Sequence, residues 1–362
     1  MPLFVLGSNL MGQLGLDQDL SSTNRPIEQP FFRNKNIVKI AAGKLHAFIL
    51  CENNELYSWG VNDDRALGRE GDERAPTPVA ITQKIMDICC GASYSAILTE
   101  RGQVFACGTF KSTSGVFGFD STTKFQPTFK RIKNLRNIKK IFGGQNHIIM
   151  TDGHNNLWTV GANEQGQLGR IHRARNVKRC LEPFQVSSKM KRNANFSFTK
   201  AAGGGSHSMA INTDFECFGW GSNFNGQLGV GDTTSSEEKR IVLLDNVKSV
   251  ACGSTHTIFL TNSNEVFGCG DNTLSQLGIE GTKMEVTPRF IIGNIDKIAA
   301  GCDFCIAQRG SRLLSWGSNL NGELGFDEIE YDEIKKPTEI DFYFGEVVDF
   351  KCGTDFVIIH TK

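Results

Sequence analysis

The sequence predicts an all-β fold, a seven-bladed β-propeller with four-stranded blades. Two motifs lead to this prediction, because each recurs seven times along the 362 residues. The repeat length of roughly 50 residues is typical of propeller blades. The composition agrees with this prediction, because the chain has 39 glycines and its apolar residues show no helical periodicity. Both features are expected for many short strands joined by tight turns.

The first motif is a short apolar strand that ends at a glycine and is followed, after a loop, by Leu-Gly. Leu56–Gly60 with the later pair Leu67 and Gly68 is a clear copy. Successive anchor glycines lie 47 to 60 residues apart, which suits one blade per repeat. The anchors are Gly7, Gly60, Gly108, Gly161, Gly221, Gly270 and Gly317.

The second motif consists of two small residues, a glycine, two variable residues and a histidine, as in Ala41–His46. The last position holds His46, His147, His207 and His256 in four copies, and Tyr94, Phe304 and Phe356 in the other three. Since the histidines recur at one repeat position, we expect them to form hydrogen bonds within the fold rather than to act in catalysis.

Each repeat is expected to contain four strands bounded by Gly, Asn or Asp turns. In the second repeat these are Ile37–Ala42, His46–Cys51, Glu55–Trp59 and Pro78–Ile81.

The register of the chain ends predicts a closed ring. The last repeat, from Glu346 to Lys362, stops after its second strand. The chain opens with an unpaired third strand, Leu3–Leu6, and a candidate fourth strand near Ile27–Phe32. The N-terminal strands should therefore complete the last blade and cover its edge. We expect residues 1–362 to form a single propeller domain.

Charge and composition exclude several classes of protein. With 39 basic and 39 acidic residues, the chain is not a globally basic nucleic-acid binder. The sequence contains no apolar run long enough to span a membrane, and its start has no charged leader. The odd count of 11 cysteines predicts reduced thiols. Cys302 and Cys305 form a C-x-x-C pair without a second pair, so we expect no metal site and no cofactor.

Signatures of covalent catalysis are missing from the sequence. It contains no G-x-S-x-G, no H-E-x-x-H and no Walker A motif. The glycine run 203–205 is a copy of the repeat turn with no helix predicted behind it. We therefore expect a protein that acts by binding, with no catalytic residues in the chemical sense.

Both motifs resemble the regulator of chromosome condensation family, whose members are seven-bladed propellers with this interleaved pattern. The resemblance covers essentially the whole chain. It leaves the function open, because the family includes nucleotide exchange factors, ubiquitin-ligase modules, photoreceptors and scaffolds.

The third repeat lacks the usual Gly-Gln-Leu-Gly ending and instead carries residues 109–119. In the family's exchange factors for the small GTPase Ran, this place holds a protruding β-hairpin called the wedge, and the amino-acid sequence of residues 109–119 is similar to it. The resemblance implies a guanine-nucleotide exchange factor for a Ran-type GTPase. The alternative is a decayed loop on a scaffold or ubiquitin-ligase adaptor. The implied wedge residues are Phe110, Lys111, Ser112, Thr113, Ser114, Gly115, Val116 and Phe117.

Strands alternate in direction within a blade, so the loops after strands one and three should open on the wedge's face. Candidate GTPase-binding residues there are Asp63, Asp64, Ala92, Ser93, Gln145, Asn146, Ser254 and Thr255. The family's exchange factors carry acids in two of these turns, where this chain has Ala92 and Asn146. Asp63, Asp64 and Asp120 could replace those acids.

The fourth repeat contains a basic insertion, residues 170–200, in which only Glu182 is acidic. The resemblance implies that this insertion contacts DNA phosphate and histones. It also implies a monomer that lies on chromatin in the nucleus and has a role in nucleocytoplasmic transport and mitosis. The alternatives are a solvated loop or an import signal, and a cytoplasmic location stays possible. The implied contact residues are Arg173, Arg175, Lys189, Lys191 and Arg192.

Overall fold

The computed structural model describes residues 2–16, 19–113, 115–170, 174–186, 197–326 and 332–362. These residues form seven four-stranded antiparallel sheets and one separate two-stranded hairpin. Each four-stranded sheet is a blade, and we name it after its anchor glycine. The blade built from both chain ends is called the closing blade. Among the described residues, no helix has the length and apolarity needed to cross a bilayer.

The chain starts with β1 (Leu3–Ser8) and β2 (Ser22–Glu28). The Gly60 blade contains β3 (Ile37–Ala42), β4 (His46–Cys51), β5 (Leu56–Gly60) and β6 (Thr77–Pro78). The Gly108 blade contains β7 (Ile85–Cys90), β8 (Tyr94–Thr99), β9 (Val104–Gly108) and β12 (Gln126–Arg131), with the hairpin strands β10 (Phe110–Ser112) and β11 (Gly115–Gly118) inserted before β12.

The Gly161 blade contains β13 (Ile138–Gly143), β14 (His147–Asp152), β15 (Leu157–Gly161) and β16 (Phe184–Gln185). The Gly221 blade contains β17 (Phe198–Gly203), β18 (His207–Asn212), β19 (Cys217–Gly221) and β20 (Ser236–Ile241). The Gly270 blade contains β21 (Val247–Cys252), β22 (His256–Thr261), β23 (Val266–Asp271) and β24 (Met284–Ile292).

The Gly317 blade contains β25 (Lys297–Ala300), β26 (Phe304–Arg309), β27 (Arg312–Ser318) and β28 (Glu333–Glu339). The last two strands are β29 (Val347–Cys352) and β30 (Phe356–Thr361). Short 3₁₀ segments occupy Pro30–Phe32, Glu52–Asn54 and Ala174–Leu181.

The predicted ring closure is confirmed. The closing blade has the strand order β2-β1-β30-β29, and β1 pairs with β30 from Leu3 opposite His360 to Gly7 opposite Phe356. Side chains of β1 fill the spaces on both sides of this blade. Leu3 and Val5 pack with residues of the Gly60 blade, whereas Leu6 packs with residues of the Gly317 blade.

Fourth strands differ from the prediction. The predicted position of the first fourth strand, near Ile27–Phe32, is wrong, because β2 ends at Glu28 and Pro30–Phe32 forms a 3₁₀ turn. This turn places the fully buried Phe32 against Trp59. The strand expected at Pro78–Ile81 is reduced to β6, which makes two residue pairs with β5. Pro76 and Pro78 offer no N–H for a longer ladder.

Buried hydrogen bonds join neighbouring blades at the residue that precedes five of the seven anchor glycines. The indole N–H groups of Trp59, Trp220 and Trp316 donate to the carbonyls of Gln13, Gln167 and Gln276 in the preceding blade, at 2.9, 2.8 and 3.1 Å. At the same repeat position, the thiols of Cys107 and Cys269 lie 3.3 and 3.5 Å from the corresponding carbonyls. These cysteines are small buried groups that replace tryptophan.

The motif histidines also join blades, which confirms their expected structural role. His46 Nε2 lies 2.8 Å from Ser95 Oγ, and this hydroxyl donates to the Ala66 carbonyl. Because the hydroxyl proton is already used, His46 must be the donor, through protonated Nε2. His147, His207 and His256 repeat the arrangement with Ser208, Thr257 and Cys305.

A closed circle of backbone hydrogen bonds links the seven motif turns around the central channel. Each turn donates an N–H group to a carbonyl in the next blade, and the last link, Thr354 to Lys44, closes the circle at 3.0 Å. The other donor and acceptor pairs are Lys44 to Gly91, Ala92 to Gln145, Gln145 to Gly204, Gly205 to Gly253, Ser254 to Cys302 and Cys302 to Thr354. The turns are thereby held as one rigid surface.

Candidate functional site

The residues predicted to form the wedge fold into a hairpin that stands apart from the blade. Strand β10 pairs only with β11, with Lys111 opposite Val116 and Ser112 opposite Gly115. Gly115 has a φ of 110° and no atom within 4 Å of the position a Cβ would take, so the tip is open to solvent. Ser114, also predicted for the wedge, lies outside the described residues.

The base of the hairpin is apolar and buried. Phe110 is 1% exposed and packs against Tyr94, with ring centroids 4.9 Å apart. Phe119 is also buried, and Phe117 packs against the same cluster. Val116 is 41% exposed. We expected Phe110 among the partner-binding residues, but its burial makes it an anchor of the hairpin, and Val116 is the apolar side chain that a partner can reach.

Polar contacts from both neighbouring blades hold the hairpin in place. On one side, Lys111 Nζ lies 2.5 Å from Asp64 Oδ2 of the Gly60 blade. On the other side, the Lys111 N–H donates to Asn146 Oδ1 at 3.1 Å, and the Thr113 N–H donates to Glu164 Oε2 at 2.7 Å. The hairpin is therefore preorganised, and the Lys111 side chain already has an acidic partner within the chain.

Sequence reasoning missed Glu164. The available signal was its repeat position, because Glu164 follows Asn163 in the loop after strand three, as Asp63 follows Asn62 two repeats earlier. Asp63 is exposed.

The Asp120 carboxylate forms its contacts within the Gly108 blade. It accepts hydrogen bonds from the N–H groups of Thr122 and Thr123 and lies 2.9 Å from Lys130 Nζ. Although burial opposes ionisation, Lys130 and these N–H groups hold the pKa of Asp120 well below its usual range. Its carboxylate is therefore satisfied within the fold.

The motif turns of three blades lie on the same face as the hairpin, as expected, since Asn146 contacts it directly. Gln145 Nε2 donates to Ser254 Oγ at 2.7 Å, across the intervening glycine turn of the Gly221 blade. Thr255 Oγ1 lies 3.4 Å from Asp271 Oδ2. Ala92 is half-buried, whereas Ser93 is 4% exposed and offers its carbonyl to the Thr109 N–H. Ser93 therefore shapes the root of the hairpin rather than the surface.

Acidic residues on this face occur in two turns that sequence reasoning did not single out. Asp303 and Asp355 occupy the repeat position of Asn146, immediately before the motif aromatics Phe304 and Phe356. Both carboxyl groups are half-buried, and burial raises the pKa of each. Gln13 Nε2 donates to Asp355 at 3.4 Å. The face thus has acids in the Gly317 and closing blades.

The described part of the basic insertion packs beside the hairpin's root. Lys178 Nζ donates to the Ser121 carbonyl at 3.3 Å, and Leu181 and Phe119 both line a cavity of about 280 Å³. Arg170 donates to the carbonyls of Cys180 and Glu182 and is therefore structural. Arg175 belongs to the 3₁₀ segment Ala174–Leu181. The predicted contact residues Arg173, Lys189, Lys191 and Arg192 lie outside the described residues.

The two thiols of the C-x-x-C pair have different partners. Cys302 Sγ lies 2.7 Å from Ser254 Oγ, and Cys305 Sγ lies 3.2 Å from His256 Nε2. Burial raises the pKa of Cys302 to about 11, so it is a thiol at neutral pH. Within the described ranges, no group of three His, Cys, Asp or Glu side chains could hold a metal ion.

Comparisons with known proteins agree with this geometry. A family profile described as an RCC1-like domain matches residues 2–359. The regulators of chromosome condensation of Mus musculus and Xenopus laevis are 31% and 30% identical over 245 and 242 residues, or 64% of this chain. The guanine nucleotide exchange factor SRM1 of Saccharomyces cerevisiae is 27% identical over 293 residues, or 68% of this chain. These matches span 58%, 57% and 59% of the relatives' own lengths.

Solved structures share the whole architecture. Prp20p from Saccharomyces cerevisiae superimposes with a TM-score of 0.90 at 24% identity, covering 99% of this chain and 90% of Prp20p. Yeast RCC1 (Prp20) bound to Kap60 gives 0.90 at 25% identity over 99% and 88% of the two chains. Human WBSCR16 gives 0.82 at 20% identity over the full length of both. This chain, with seven blades closed by its two ends, belongs to the family of RCC1-like domains.

Proposed function

We propose that this protein is a guanine-nucleotide exchange factor for a Ran-type small GTPase and acts without covalent chemistry. One observation carries the proposal: the β10–β11 hairpin leaves its sheet, buries Phe110 at its root and presents Val116 and an open glycine turn to solvent. Relatives named as a regulator of chromosome condensation and as a guanine nucleotide exchange factor support it.

The hairpin's rigidity suits this task. An exchange factor binds the nucleotide-free GTPase more tightly than the loaded one, so factor and nucleotide weaken each other's binding by the same coupling free energy. A hairpin already held by Asp64, Asn146 and Glu164 loses little conformational freedom when a partner binds. More of the contact energy is then available to displace the nucleotide.

Charges on the face give the partner's basic residues a place to bind. Asp303 and Asp355 lie half-buried in two motif turns, and Asp63 is exposed near the hairpin. In this proposal they replace the acids that Ala92 and Asn146 do not supply. The Lys111–Asp64 pair can open when a partner carboxylate competes for Lys111, because both side chains are partly exposed.

A second surface is proposed to contact chromatin in the nucleus. Prp20p was characterised together with its binding to Gsp1p and histones. In this chain Arg173 and Arg175 would meet an acidic histone surface, and Lys189, Lys191 and Arg192 would meet DNA phosphate. Such binding should weaken steeply with salt.

The second candidate function is a scaffold or ubiquitin-ligase adaptor of the same family. The observation in its favour is that Asn146, where exchange factors carry an acid, holds the hairpin backbone in this chain. A scaffold would need no preference for one nucleotide state of a GTPase.

A pull-down with nucleotide-free and GTP-loaded Ran-type GTPase separates the two functions. We expect the full chain to retain the nucleotide-free form preferentially. A variant with residues 111–117 replaced by a glycine linker should lose that preference. Phe215→Ala, which changes an exposed side chain of the β18–β19 connection on the opposite face, should retain it. Equal capture of both nucleotide states by the unmodified chain would exclude the exchange factor and favour the scaffold.

A further inference from the structure

The channel mouth opposite the hairpin is built from bulges in the innermost strands. Six of these strands shift register after their first residue, so that each carries one extra residue at that mouth. A bulge re-aims the side chains around it. The extra residues are Val38, Met86, Lys139, Thr199, Lys248 and Val348, and the residues that follow them are Lys39, Asp87, Lys140, Lys200, Ser249 and Asp349.

Opposite charges meet at two blade junctions of this mouth. Lys39 Nζ lies 3.0 Å from Asp87 Oδ1, between the Gly60 and Gly108 blades. Lys297 pairs with Asp349, between the Gly317 and closing blades. At these junctions the fold supplies its own counter-ions.

In the three consecutive blades between these pairs, every charged residue at the bulge or directly after it is a lysine. Lys140 Nζ donates to the Thr199 carbonyl at 2.9 Å, and Lys200 Nζ donates to the Lys248 carbonyl at 2.6 Å. Lys248 Nζ donates to Asn264 Oδ1 at 3.1 Å. The first two side chains thus reach the next blade, whereas Lys248 bonds within its own blade, and we call these three residues the lysine row. In the described part of the chain, none of the three lies within ion-pair distance of a carboxylate.

The lysine row is electrostatically unfavourable without an anion. Burial and then the charges of Lys140 and Lys248 lower the pKa of Lys200. Like charges fixed next to one another repel, and an anion placed against them relieves that repulsion. The repeat position itself tolerates an acid, as Asp87 and Asp349 show, yet these three blades have none there.

The other half of the same mouth is apolar at its bulge positions. The extra residues of the closing, Gly60 and Gly108 blades are Val348, Val38 and Met86, with exposed fractions of 39%, 52% and 48%. A recess of about 500 Å³ beside Val38 is lined partly by Leu50 and Ile85. Phosphate polymers would satisfy the lysine row but would leave this apolar half uncovered.

From this juxtaposition we infer that the mouth opposite the hairpin binds an acidic protein segment that carries an apolar side chain. Carboxylates of the segment pair with Lys140, Lys200 and Lys248, and the apolar side chain enters the recess beside Val38. The inference does not depend on the proposed exchange activity, because it concerns the opposite face.

Fluorescence anisotropy with a labelled peptide of repeated Glu-Glu-Leu units tests this inference. The combined variant Lys140→Gln, Lys200→Gln and Lys248→Gln should weaken binding at least tenfold relative to the unchanged chain. The matched control is Lys39→Gln, which removes a lysine at the repeat position of Lys140 and Lys200. Lys39 already pairs with Asp87, so the affinity of this variant should stay close to that of the unchanged chain. Val38→Ser with Met86→Ser should also weaken binding.

A rescue variant and two further probes distinguish a loss of charge from a loss of fold and an acidic peptide from other ligands. Replacing the three lysines by arginine should restore binding if the loss came from charge, and melting curves check that each variant is folded. The inference is overturned if the unchanged chain does not bind the peptide, or if the Gln and Lys39 variants behave alike. It is equally overturned if a peptide with Gln in place of Glu binds as well, or if oligothymidylate binds more tightly than the acidic peptide. Nucleotide release from the GTPase, measured in parallel, should not change with these variants.

Discussion

Leu6→Ala tests whether the N-terminal strand closes the ring. Leu6 is fully buried and packs in one cluster with Val357 and Ile359 of β30 and with Leu313 of the Gly317 blade. The substitution removes three carbons from this cluster, worth roughly 2 kcal/mol in transfer free energy, and leaves a cavity that brings the loss to roughly 3–5 kcal/mol. For a chain of this size, we expect a fall in melting temperature of roughly 4–7 °C.

The matched control is Leu10→Ala, four residues away. Leu10 is 59% exposed, so its truncation should change the free energy of unfolding by less than about 0.5 kcal/mol. Differential scanning fluorimetry and urea unfolding of both variants provide the comparison. Equal melting temperatures for the two variants would show that β1 does not carry the closure, and the reasoning would fail.

Three further predictions concern blade junctions and the hairpin. Burial lowers the pKa of each motif histidine, to about 3 for His207 and about 4 for His46, His147 and His256. Between the ordinary histidine pKa near 6.5 and these lowered values, the unfolded chain binds more protons than the folded one. The free energy of unfolding should therefore be greatest above about pH 6.5 and should fall as the pH drops towards 4, by roughly 2 kcal/mol per histidine at pH 5. Melting curves that coincide at pH 7.5 and 5 would contradict this. Tyr94→Phe removes the hydroxyl that lies 2.9 Å from the Gly144 carbonyl and 2.6 Å from the His147 carbonyl, and it should cost about 1–3 kcal/mol in urea unfolding; an unchanged midpoint counts against the junction. Glu164→Ala removes the acceptor of the Thr113 N–H, and nucleotide release by the GTPase should slow about fivefold at an unchanged melting temperature; normal release would show that this contact does not position the hairpin.

The fold was largely predictable because its signals are periodic. Seven copies of each motif fixed the blade number, and the positions of Leu3–Leu6 and Glu346 relative to them fixed the closure. Fourth strands were less predictable, because they lie at the outer edge, where prolines and local packing decide their length. Phe32 illustrates this, since an apolar residue that suggested a strand serves instead to fill a space against Trp59.

One junction rule was present in the sequence and could have been found. The residue after the motif position is Ser95, Ser208, Thr257 or Cys305 wherever the preceding blade carries His46, His147, His207 or His256. It is Ile148, Val357 or Ala47 wherever the preceding blade carries Tyr94, Phe304 or Phe356. The physical reason is that a buried imidazole needs a hydroxyl or thiol partner, whereas an aromatic ring packs against an apolar side chain.

The candidate site was predictable in place but not in detail. The interrupted third repeat located the hairpin, and strand alternation assigned its face. Which acids are free could not be read from spacing alone, because pairing depends on side-chain reach across blades: Asp64 pairs with Lys111 and Asp120 with Lys130. The bulges that create the opposite channel mouth likewise follow from strand pairing rather than from any residue pattern.

The most direct test of the account is the release of a fluorescent guanine nucleotide from a Ran-type GTPase. The unchanged chain is compared with a variant in which residues 111–117 are replaced by a short glycine linker. Because this hairpin pairs only with itself and lies outside the blade, the variant should remain folded, which its melting curve checks. We predict that release falls at least tenfold, which corresponds to about 1.4 kcal/mol of lost transition-state stabilisation. Normal release by the folded variant would contradict the assignment of the hairpin as the exchange element.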